Sequence, residues 1–352
     1  MQLALYHPDE GYYRRREPIG ARGDYLTSPE LHPLFGAVLR RQLAELWAAL
    51  DRPSTFTVVE VGAGSGALAR AILGVPEDAF GAALRYLIVE PDPRLRTLQT
   101  RTLGSLADAV RWREALAAEA APVGCVLSNE LVDSFPVHRV TVRDGRLREL
   151  WVGLEDGRFV DVEGDPSTPE LAAYFARLGL LPGDGCVAEV NLDALAWLRE
   201  AAAAIDRGFV LTLDYGYPAR QLYAPWRRQG TLLCYSRHTV QTDPYVRIGQ
   251  QDLTAHVDFS SLAAAGEPAG LQTLGFTTQQ RLLAALGIDE ALRGGPAALA
   301  LEEYLARRRA VADLLNPEGL GRVRVLLQGK HAGTPALRGF AGGNEVESLW
   351  TR

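Results

Sequence analysis

The chain has few of the residues from which metal sites and disulfide frameworks are built. Its 352 residues include three cysteines and six histidines. Cys125, Cys186 and Cys234 lie in apolar stretches without C-x-x-C spacing, and the histidines form no H-E-x-x-H pattern. The sequence therefore predicts free thiols in a reducing compartment, and we expect no metal in the functional site.

Long hydrophobic runs are also missing. No apolar stretch approaches the roughly 18 residues that a membrane-spanning helix needs. The first residues, MQLALYHPDEGYYRRR, contain no apolar core of a signal peptide, because residues 6–10 (YHPDE) interrupt the apolar stretch at once. We therefore expect a cytoplasmic protein without membrane insertion.

The chain carries no excess of basic residues. Lysine and arginine number 37 against 43 acidic residues, which gives a formal net charge of −6 and an isoelectric point near 5.6. Proteins that bind nucleic acid generally have a basic surface, so we expect no nucleic-acid partner. The hydrophobic share of 47% and the charged share of 23% are typical of a soluble globular protein.

What the sequence has is a regular alternation of strands and helices. Strands are predicted over 56–61, 84–89, 110–112, 124–127, 209–213 and 323–327, and helices over 27–50, 67–73, 94–103, 169–178, 193–204 and 298–315. Nearly continuous apolar strands separated by helices indicate a parallel sheet that is covered on both faces. Between 137 and 164, two Asp-Gly turns separate three strand-like runs, which predicts inserted antiparallel hairpins. The predicted fold is a doubly wound α/β sheet with an inserted β element.

Five segments follow from this pattern. They are an N-terminal helical segment (1–52), the first half of the α/β domain (53–136), an inserted β/α element (137–206), the second half of the domain (207–340) and a tail (341–352). In the first segment, one helix is predicted to begin at Thr27, with Ser28 as a cap and Pro29 in the first turn.

The most specific motif is VVEVGAGSG at 58–66, where a glycine loop joins a strand to a helix. Gly62, Gly64 and Gly66 allow a tight turn and let a ligand approach the backbone. The loop lacks the G-x-G-x-x-G spacing of dinucleotide-binding folds, so NAD is the less favoured alternative, and it lacks the G-K-[ST] of a phosphate loop. The spacing E-x-G-x-G-x-G, which begins at Glu60, resembles the first motif of class I S-adenosyl-L-methionine (SAM) methyltransferases.

The resemblance also implies an acidic residue at the end of the second strand. Glu90 stands there, at the end of RYLIVE. Its two carboxylate oxygens match the two neighbouring hydroxyl groups of a ribose, as in dinucleotide-binding folds. SAM is therefore the expected cofactor.

Polar residues end the fourth predicted strand. Cys125-Val126-Leu127 is followed by Ser128, Asn129 and Glu130, and Asp133 comes three residues later. The fourth strand of a doubly wound sheet ends at the crevice where ligands bind. Methyltransferases that act on adenine or amide nitrogen typically carry N-P-P-[YF] here, whereas this chain has N-E-L.

Carboxylates complement a guanidinium group in bidentate pairs. We therefore predict that Glu130 and Asp133 hold a cationic nitrogen nucleophile. The alternative for both residues is that they cap the next helix.

Several stretches along the chain resemble the MidA-type methyltransferases, a family that includes the mitochondrial complex I assembly methyltransferase. They are ALYHPDEGYY (4–13), GDYLTSPELHPLFG (23–36), SNELVDSFPVHR (128–139), LTLDYGYPARQLY (211–223) and GQQDLTAHVDFSSL (249–262). The resemblance implies a class I SAM-dependent fold and methylation of arginine in a protein partner. It implies cofactor contacts or pocket positions for Gly62, Gly64, Gly66, Glu90, Asn129, Glu130, Ser28 and Glu30.

Residues 252–258 (DLTAHVD) form a candidate acid/base cluster. His256 is predicted to titrate near neutrality. In a single strand, Thr254, His256 and Asp258 would share one face, directed at the substrate cleft. With equal weight, these polar residues instead tie a late strand to the loop over the pocket. Tyr215 and Tyr217 are predicted to wall the cleft.

The predicted function is SAM-dependent N-methylation of a protein arginine, with a respiratory complex I subunit as one partner among many. A methyltransferase of small molecules is the alternative if the cleft is closed and apolar. A third reading is an assembly factor that binds SAM without turnover. The oligomeric state stays open.

Overall fold

A computed structural model of the protein describes residues 1–15, 27–116, 121–236, 239–293 and 299–350. The structure describes residues 27–36 of the 23–36 stretch, whereas residues 23–26 lie outside the described residues. Ala298, where the last long helix is predicted to begin, also lies outside them. Within the described ranges, every helix is too short or too polar to cross a membrane.

A seven-stranded sheet forms the centre of the fold. In spatial order its strands are β15 (Gln272–Thr278), β16 (Arg324–Lys330), β9 (Ile205–Asp214), β4 (Ala121–Asn129), β1 (Phe56–Val61), β2 (Leu84–Val89) and β3 (Val110–Arg113). The five strands from β9 to β3 are parallel, whereas β16 runs antiparallel to β9 and β15 antiparallel to β16. The strand order reverses between β1 and β4, and ligands bind at such a switch point.

Helices cover both faces of this sheet. The α-helices of the described residues, in chain order, are α1 (Gln2–Tyr6), α2 (Tyr12–Arg15), α3 (Ser28–Leu31), α4 (Leu34–Ala49), α5 (Ala67–Leu73), α6 (Ala79–Ala83), α7 (Pro93–Leu103), α8 (Glu170–Leu178), α9 (Leu192–Ala203), α10 (Ala219–Leu222), α11 (Phe259–Gly266), α12 (Gln279–Ala285), α13 (Leu301–Leu315) and α14 (Arg338–Ala341). One core contains α4, α5, α12 and α13, and a second core contains α8, α9 and α11. Because the sheet is covered on both faces, Cys125, Val126 and Leu127 are all fully buried. The predicted doubly wound fold is confirmed.

The inserted element is a four-stranded antiparallel sheet. Its spatial order is β7 (Arg158–Gly164), β6 (Arg146–Glu155), β5 (His138–Arg143) and β8 (Val187–Val190). The predicted hairpins form, and both Asp-Gly pairs adopt positive φ, as tight hairpin turns require. The sequence reading missed β8 and the edge strand β15.

Two smaller sheets lie near the carboxyl edge of the central sheet. One contains β12 (Thr239–Gln241), β11 (Leu233–Ser236) and β13 (Asp252–Thr254), and the other pairs β10 (Gly216–Tyr217) with β14 (Val257–Asp258). The helices α1 and α2 share a small core with the first of these sheets, formed by Leu5, Tyr12, Cys234 and Leu253. The start of the chain is thereby brought beside the ends of the central strands.

The single helix predicted from Thr27 is wrong in two respects. The chain forms α3 and α4 as separate helices, because His32 is extended before Pro33, as residues before proline tend to be. Ser28 is not the cap, since it lies inside α3 and its hydroxyl donates to Gln279 Oε1 at 3.0 Å.

Candidate active site

Four strand ends meet at one edge of the central sheet. The Gly62 amide lies 3.5 Å from the Val89 carbonyl, and the Glu130 amide donates to the Leu213 carbonyl at 2.8 Å. Parallel pairing thus places the glycine loop after β1, Glu90 after β2, Glu130 after β4 and Asp214 at the end of β9 side by side. Residues that the sequence separates by more than 150 positions therefore share one site.

The glycine loop needs its glycines for conformation and for space. Gly62, Gly64 and Gly66 have φ of +73°, +52° and +86°, values that side chains disfavour. A Cβ on Gly62 would lie 2.6 Å from Leu131 Cδ1, so the loop after β1 lies directly against the loop after β4.

A small cavity of about 40 Å³ lies between the glycine loop and β4. It is lined by Thr27, Pro29, Glu30, Glu60, Ala63, Gly64, Ser65, Ala67, Leu68, Asn129 and Glu130. Glu30 accepts a hydrogen bond from Ser65 Oγ, which ties α3 to the loop. Ser28 is not in the lining, but its backbone amide lies 3.4 Å from Glu130 Oε1.

Asn129 provides an unused acceptor in this cavity. Its Nδ2 donates to Glu130 Oε1 at 3.1 Å, while its buried Oδ1 has no hydrogen-bond partner. Buried polar atoms are almost always paired, so an unpaired acceptor here fits a ligand that brings a donor. The amino group of SAM is such a donor, and a loop of positive-φ glycines lies opposite.

Glu90 is held in place by neighbours that leave acceptor capacity free. Its Oε1 accepts from the Asp92 amide at 2.9 Å, and its Oε2 accepts from Gln99 Nε2 at 3.2 Å. Each carboxylate oxygen can accept a further hydrogen bond, as two ribose hydroxyls would require. Burial raises the pKa of Glu90 above its ordinary value.

Gln99 connects Glu90 with the glycine loop, and the sequence reading missed it. Its Nε2 also donates to the Gly64 carbonyl at 3.1 Å, while its Oε1 accepts from Trp112 Nε1 at 2.9 Å. The only sequence signal is a polar residue on the buried face of α7. Glu60 has a comparable buried position, where it accepts from the Tyr86 hydroxyl at 2.8 Å and burial raises its pKa to about 7.

A larger cavity of about 260 Å³ lies on the other side of Glu130, which lines both spaces. Its lining residues are Tyr13, Glu130, Asp133, Tyr215, Tyr235, Asp252, Thr254, His256, Gly319, Leu320 and Arg322. Three are carboxylates and three are tyrosines. The predicted pair Glu130 and Asp133 is thus joined by Asp252, which the sequence reading placed only within the DLTAHVD cluster.

Within the described residues, Glu130 and Asp133 of this large cavity form no ion pair, although Arg322 also lies in its lining. Burial and then the charge of Asp214 raise the pKa of Glu130 to about 8. The same two causes raise the pKa of Asp133 well above its usual range. Groups with such pKa values are stabilised when a cation binds beside them, because the cation favours their charged form.

Asp214 organises the loop that carries these carboxylates. Its Oδ2 accepts the amides of Leu131 at 3.1 Å and Val132 at 2.8 Å, and its Oδ1 accepts the amide of Tyr215 at 2.8 Å. Glu130, the first residue of the loop, has a φ of +49°, which non-glycine residues seldom adopt. The sequence reading used Asp214 only as a strand end, although an acid at the end of an apolar strand was the signal that identified Glu130.

Replacing Asp214 with asparagine should therefore destabilise this loop. The amide group of asparagine would face a backbone N–H that now has an acceptor, at a cost of about 1–3 kcal/mol in the free energy of unfolding. Urea unfolding measures this cost, and methyl transfer should fall in the same variant. Asp108→Asn, at an exposed position, is the matched control. Unchanged stability and activity in Asp214→Asn would contradict the role given to this carboxylate.

His256 lines the large cavity, but its chemistry differs from the prediction. Its Nδ1 is buried and has no hydrogen-bond partner. Burial, followed by the charges of Arg227 and Arg322, lowers the pKa of His256 to about 4. The expectation that it titrates near neutrality is wrong, since the ring is neutral at pH 7.

Asp258 does not share a face with His256. The chain leaves β13 after Thr254 and joins another sheet at Val257, so residues 252–258 are not one strand. Asp258 instead caps α11, accepting the Ser261 amide at 3.1 Å and the Tyr174 hydroxyl at 2.7 Å. It lies outside the linings of both cavities, which leaves it a structural role.

Comparisons with known proteins agree with this geometry. A crystal structure from Burkholderia thailandensis with bound S-adenosyl-homocysteine is 36% identical, with a TM-score of 0.89 over 99% of this chain and 90% of that one. A native crystal structure from the same organism gives a TM-score of 0.87 at 36% identity. S-adenosyl-homocysteine is the product that SAM leaves after methyl transfer, which supports the predicted cofactor.

Curated relatives include the mitochondrial protein arginine methyltransferase NDUFAF7 and its homologue. The Drosophila melanogaster homologue is 30% identical over 77% of this chain, which spans just under two thirds (66%) of that protein's length. The Rattus norvegicus protein is 26% identical over 91% of this chain and 77% of its own length.

A family profile described as "Putative S-adenosyl-L-methionine-dependent methyltransferase" matches residues 38–277. The match covers both the glycine loop and the strand ends that form the site. Since this is more than half of the chain, the protein belongs to this family of SAM-dependent methyltransferases.

Proposed function

We propose that the protein transfers the methyl group of SAM to a guanidinium nitrogen of an arginine in a protein partner. The observation that carries this proposal is the large cavity, whose three carboxylates approach the cofactor site through Glu130. A guanidinium group presents five donors in a plane, and carboxylates match it in paired hydrogen bonds. The names of the curated relatives support the same substrate class.

In the proposed reaction, the residues of the site position the substrate and accept a proton from it. Bound SAM supplies a methyl group that its sulfonium already activates, so the protein has chiefly to align the nucleophile and exclude water. Glu130 stands at the junction of the two cavities and binds the attacking end of the guanidinium. Tyr215 and Tyr235 wall the cavity with rings that stack on a planar cation.

Glu130 is also placed to accept a proton after transfer. Methylation leaves the product nitrogen with one proton too many, and a nearby carboxylate can take it. In the free protein, burial gives Glu130 a pKa of about 8. A bound guanidinium favours the ionised form, which is the form that accepts the proton.

Two alternatives have less support. A methyltransferase of small molecules was predicted to have a closed and apolar cleft, whereas this cavity has three carboxylates in its lining. An assembly factor that binds SAM without turnover needs the glycine loop and Glu90, but has no use for a second, acidic cavity. The partner that the family resemblance suggests is a subunit of respiratory complex I, and we propose a cytoplasmic location.

Methyl transfer to proteins of the source organism tests the proposal directly. Purified protein is incubated with methyl-labelled SAM and lysate, and each labelled band is hydrolysed to amino acids. We expect a band that releases methylated arginine. Label in another amino acid would overturn the substrate class, and no labelled protein despite SAM binding would favour one of the two alternatives.

The acidic cavity also predicts how substrate binding depends on pH. Glu130 must be ionised to hold a guanidinium, and its pKa in the empty site is about 8. At saturating SAM, KM for an arginine peptide should therefore fall about fiftyfold as pH rises from 6 to 8, because the ionised fraction of a group with this pKa rises from about 1% to about 50%. A KM that does not change over this range would contradict the assignment.

Folding stability should change with pH in the opposite direction. A glutamate with a raised pKa stabilises the fold below its unfolded pKa of about 4.3, and this contribution is lost as pH rises toward 8. Glutamine cannot ionise, so Glu130→Gln does not lose this stability as pH rises. The melting temperature of Glu130→Gln minus that of the wild type should therefore increase between pH 5 and 8.

A further inference from the structure

A third cavity, of about 200 Å³, adjoins the acidic one. Tyr215, His256 and Arg322 line both spaces. The other residues of this third cavity are Gly216, Tyr217, Thr278, Gln280, Pro317, Gly321 and Arg324. None of these residues is acidic, so the cavity surface beyond Tyr215 has no carboxylates, unlike that of the acidic cavity.

Arg322 lines this third cavity, and Arg227 lies outside the lining, against the ring of the lining residue Tyr217. Arg322 lies over the Tyr215 ring, 5.4 Å from its centroid, and Arg227 lies over the Tyr217 ring at 4.6 Å. In the part of the chain that the structure describes, neither arginine forms an ion pair with a carboxylate. Arg324 differs, since Glu345 neutralises it at 2.9 Å. Stacking on the rings holds the two guanidinium groups in place, and Arg227 Nε also donates to the Gln221 carbonyl at 3.3 Å.

His256 lines both cavities and is neutral at pH 7, so it adds no charge to either. Its ring centroid is 5.4 Å from that of Tyr217, and its buried Nδ1 is unpaired. Arg227 and Arg322 both contribute to lowering its pKa, after burial, so both lie near the ring. A positive cavity that contains an unpaired buried nitrogen thus borders a negative one.

We propose that this third cavity binds a carboxylate of the substrate, while the acidic cavity holds the arginine that is methylated. This inference rests on the proposed function. Arginine forms strong, directional hydrogen bonds with carboxylates, so Arg322 and Arg227 would select peptides in which an acidic group neighbours the target arginine. A lysine or arginine at the same place in the peptide would be repelled, which adds specificity.

The carboxylate has two chemical sources, an acidic side chain beside the arginine or the C-terminus of the chain. Synthetic peptides distinguish them. One set carries glutamate or glutamine on either side of a single arginine, and the other ends just after the arginine as a free acid or as an amide. Methyl transfer from labelled SAM gives KM and kcat for each peptide. We expect KM to be about tenfold lower for the acidic member of at least one pair.

Substitution of the arginines tests whether this cavity causes the preference. In a variant with both Arg227→Gln and Arg322→Gln, the ratio of KM for the neutral peptide to KM for the acidic peptide should fall to about one, whatever the change in KM for the neutral peptide, because Arg322 also lines the acidic cavity. SAM affinity, measured by calorimetry, should be unchanged and serves as the check on folding. Arg199→Gln, on the exposed side of α9, is the matched control and should keep the preference.

The outcomes separate this inference from the proposed function. If the wild type methylates acidic and neutral peptides equally well, the carboxylate site is overturned while arginine methylation stands. A preference that survives in the double variant would likewise overturn the assignment to Arg227 and Arg322. If no arginine peptide is methylated although SAM binds, the proposed function and the inference both fail.

Discussion

Glu130→Gln is expected to lower the rate of methyl transfer on the order of 100-fold while SAM affinity stays within about twofold. Glutamine has the same shape, so the cavity keeps its volume. It cannot offer a negative charge to the guanidinium, nor take the proton that methylation releases. Because Glu130 lines both the small cavity at the glycine loop and the acidic cavity, its loss should affect turnover more than either binding step.

The measurement for Glu130→Gln combines two experiments on the same preparation. Calorimetry gives the affinity for SAM, and a single-turnover assay with labelled SAM gives the rate of transfer to an arginine peptide. Glu155→Gln removes a carboxylate at an exposed position on the inserted hairpin and is the matched control. Transfer at the wild-type rate in Glu130→Gln would rule out the guanidinium clamp.

Glu90→Gln is expected to weaken SAM binding on the order of 100-fold. The glutamate offers two charged acceptors to the ribose hydroxyls, and glutamine replaces one of them with a donor. The change also places an amide group beside the Asp92 amide or Gln99 Nε2, both of which now donate to this carboxylate. Turnover at saturating SAM should fall much less than affinity, which is the reverse of the pattern expected for Glu130→Gln.

Calorimetric titration of SAM and of S-adenosyl-homocysteine checks the second prediction. Both ligands carry the ribose, so both should lose affinity to a similar extent. Glu114→Gln, an exposed carboxylate just beyond β3, controls for the loss of charge near the site. If the Glu90 variant binds both ligands with wild-type affinity, the ribose assignment is wrong.

The sequence predicted those parts of the site whose residues directly follow a strand in the chain. Gly62, Gly64 and Gly66 are adjacent to their strand, and Glu90 ends the next one, so local patterns were sufficient to predict the cofactor edge. The predicted SAM dependence is confirmed. The same reasoning placed Glu130 at a strand end, because a buried apolar run that stops at an acid indicates a ligand-binding edge.

Asp258 shows why the prediction of a shared strand face from the short motif DLTAHVD is wrong. Alternation of polar and apolar residues predicts a shared face only if the segment is one strand. Here the chain turns after Thr254, and the residues enter two different sheets. The expectation that His256 titrates near neutrality is wrong for a different reason. Burial favours the neutral ring over the charged one, which lowers the pKa of His256 to about 4.

Local sequence patterns were sufficient to predict the doubly wound fold and the cofactor, because each pattern lies within a β-loop-α unit, and they also predicted the strand ends at which we place the cofactor. What surrounds Glu130 on its other side depends instead on packing between distant segments of the chain. Tyr13, Tyr235, Asp252 and Arg322 come from four separate segments, and no local pattern relates them. They meet because α1 and α2 pack against the small sheet of β11 and β13, and because this sheet lies over the carboxyl edge of the central one. Packing across the chain created the acidic cavity, and with it the substrate class that we propose.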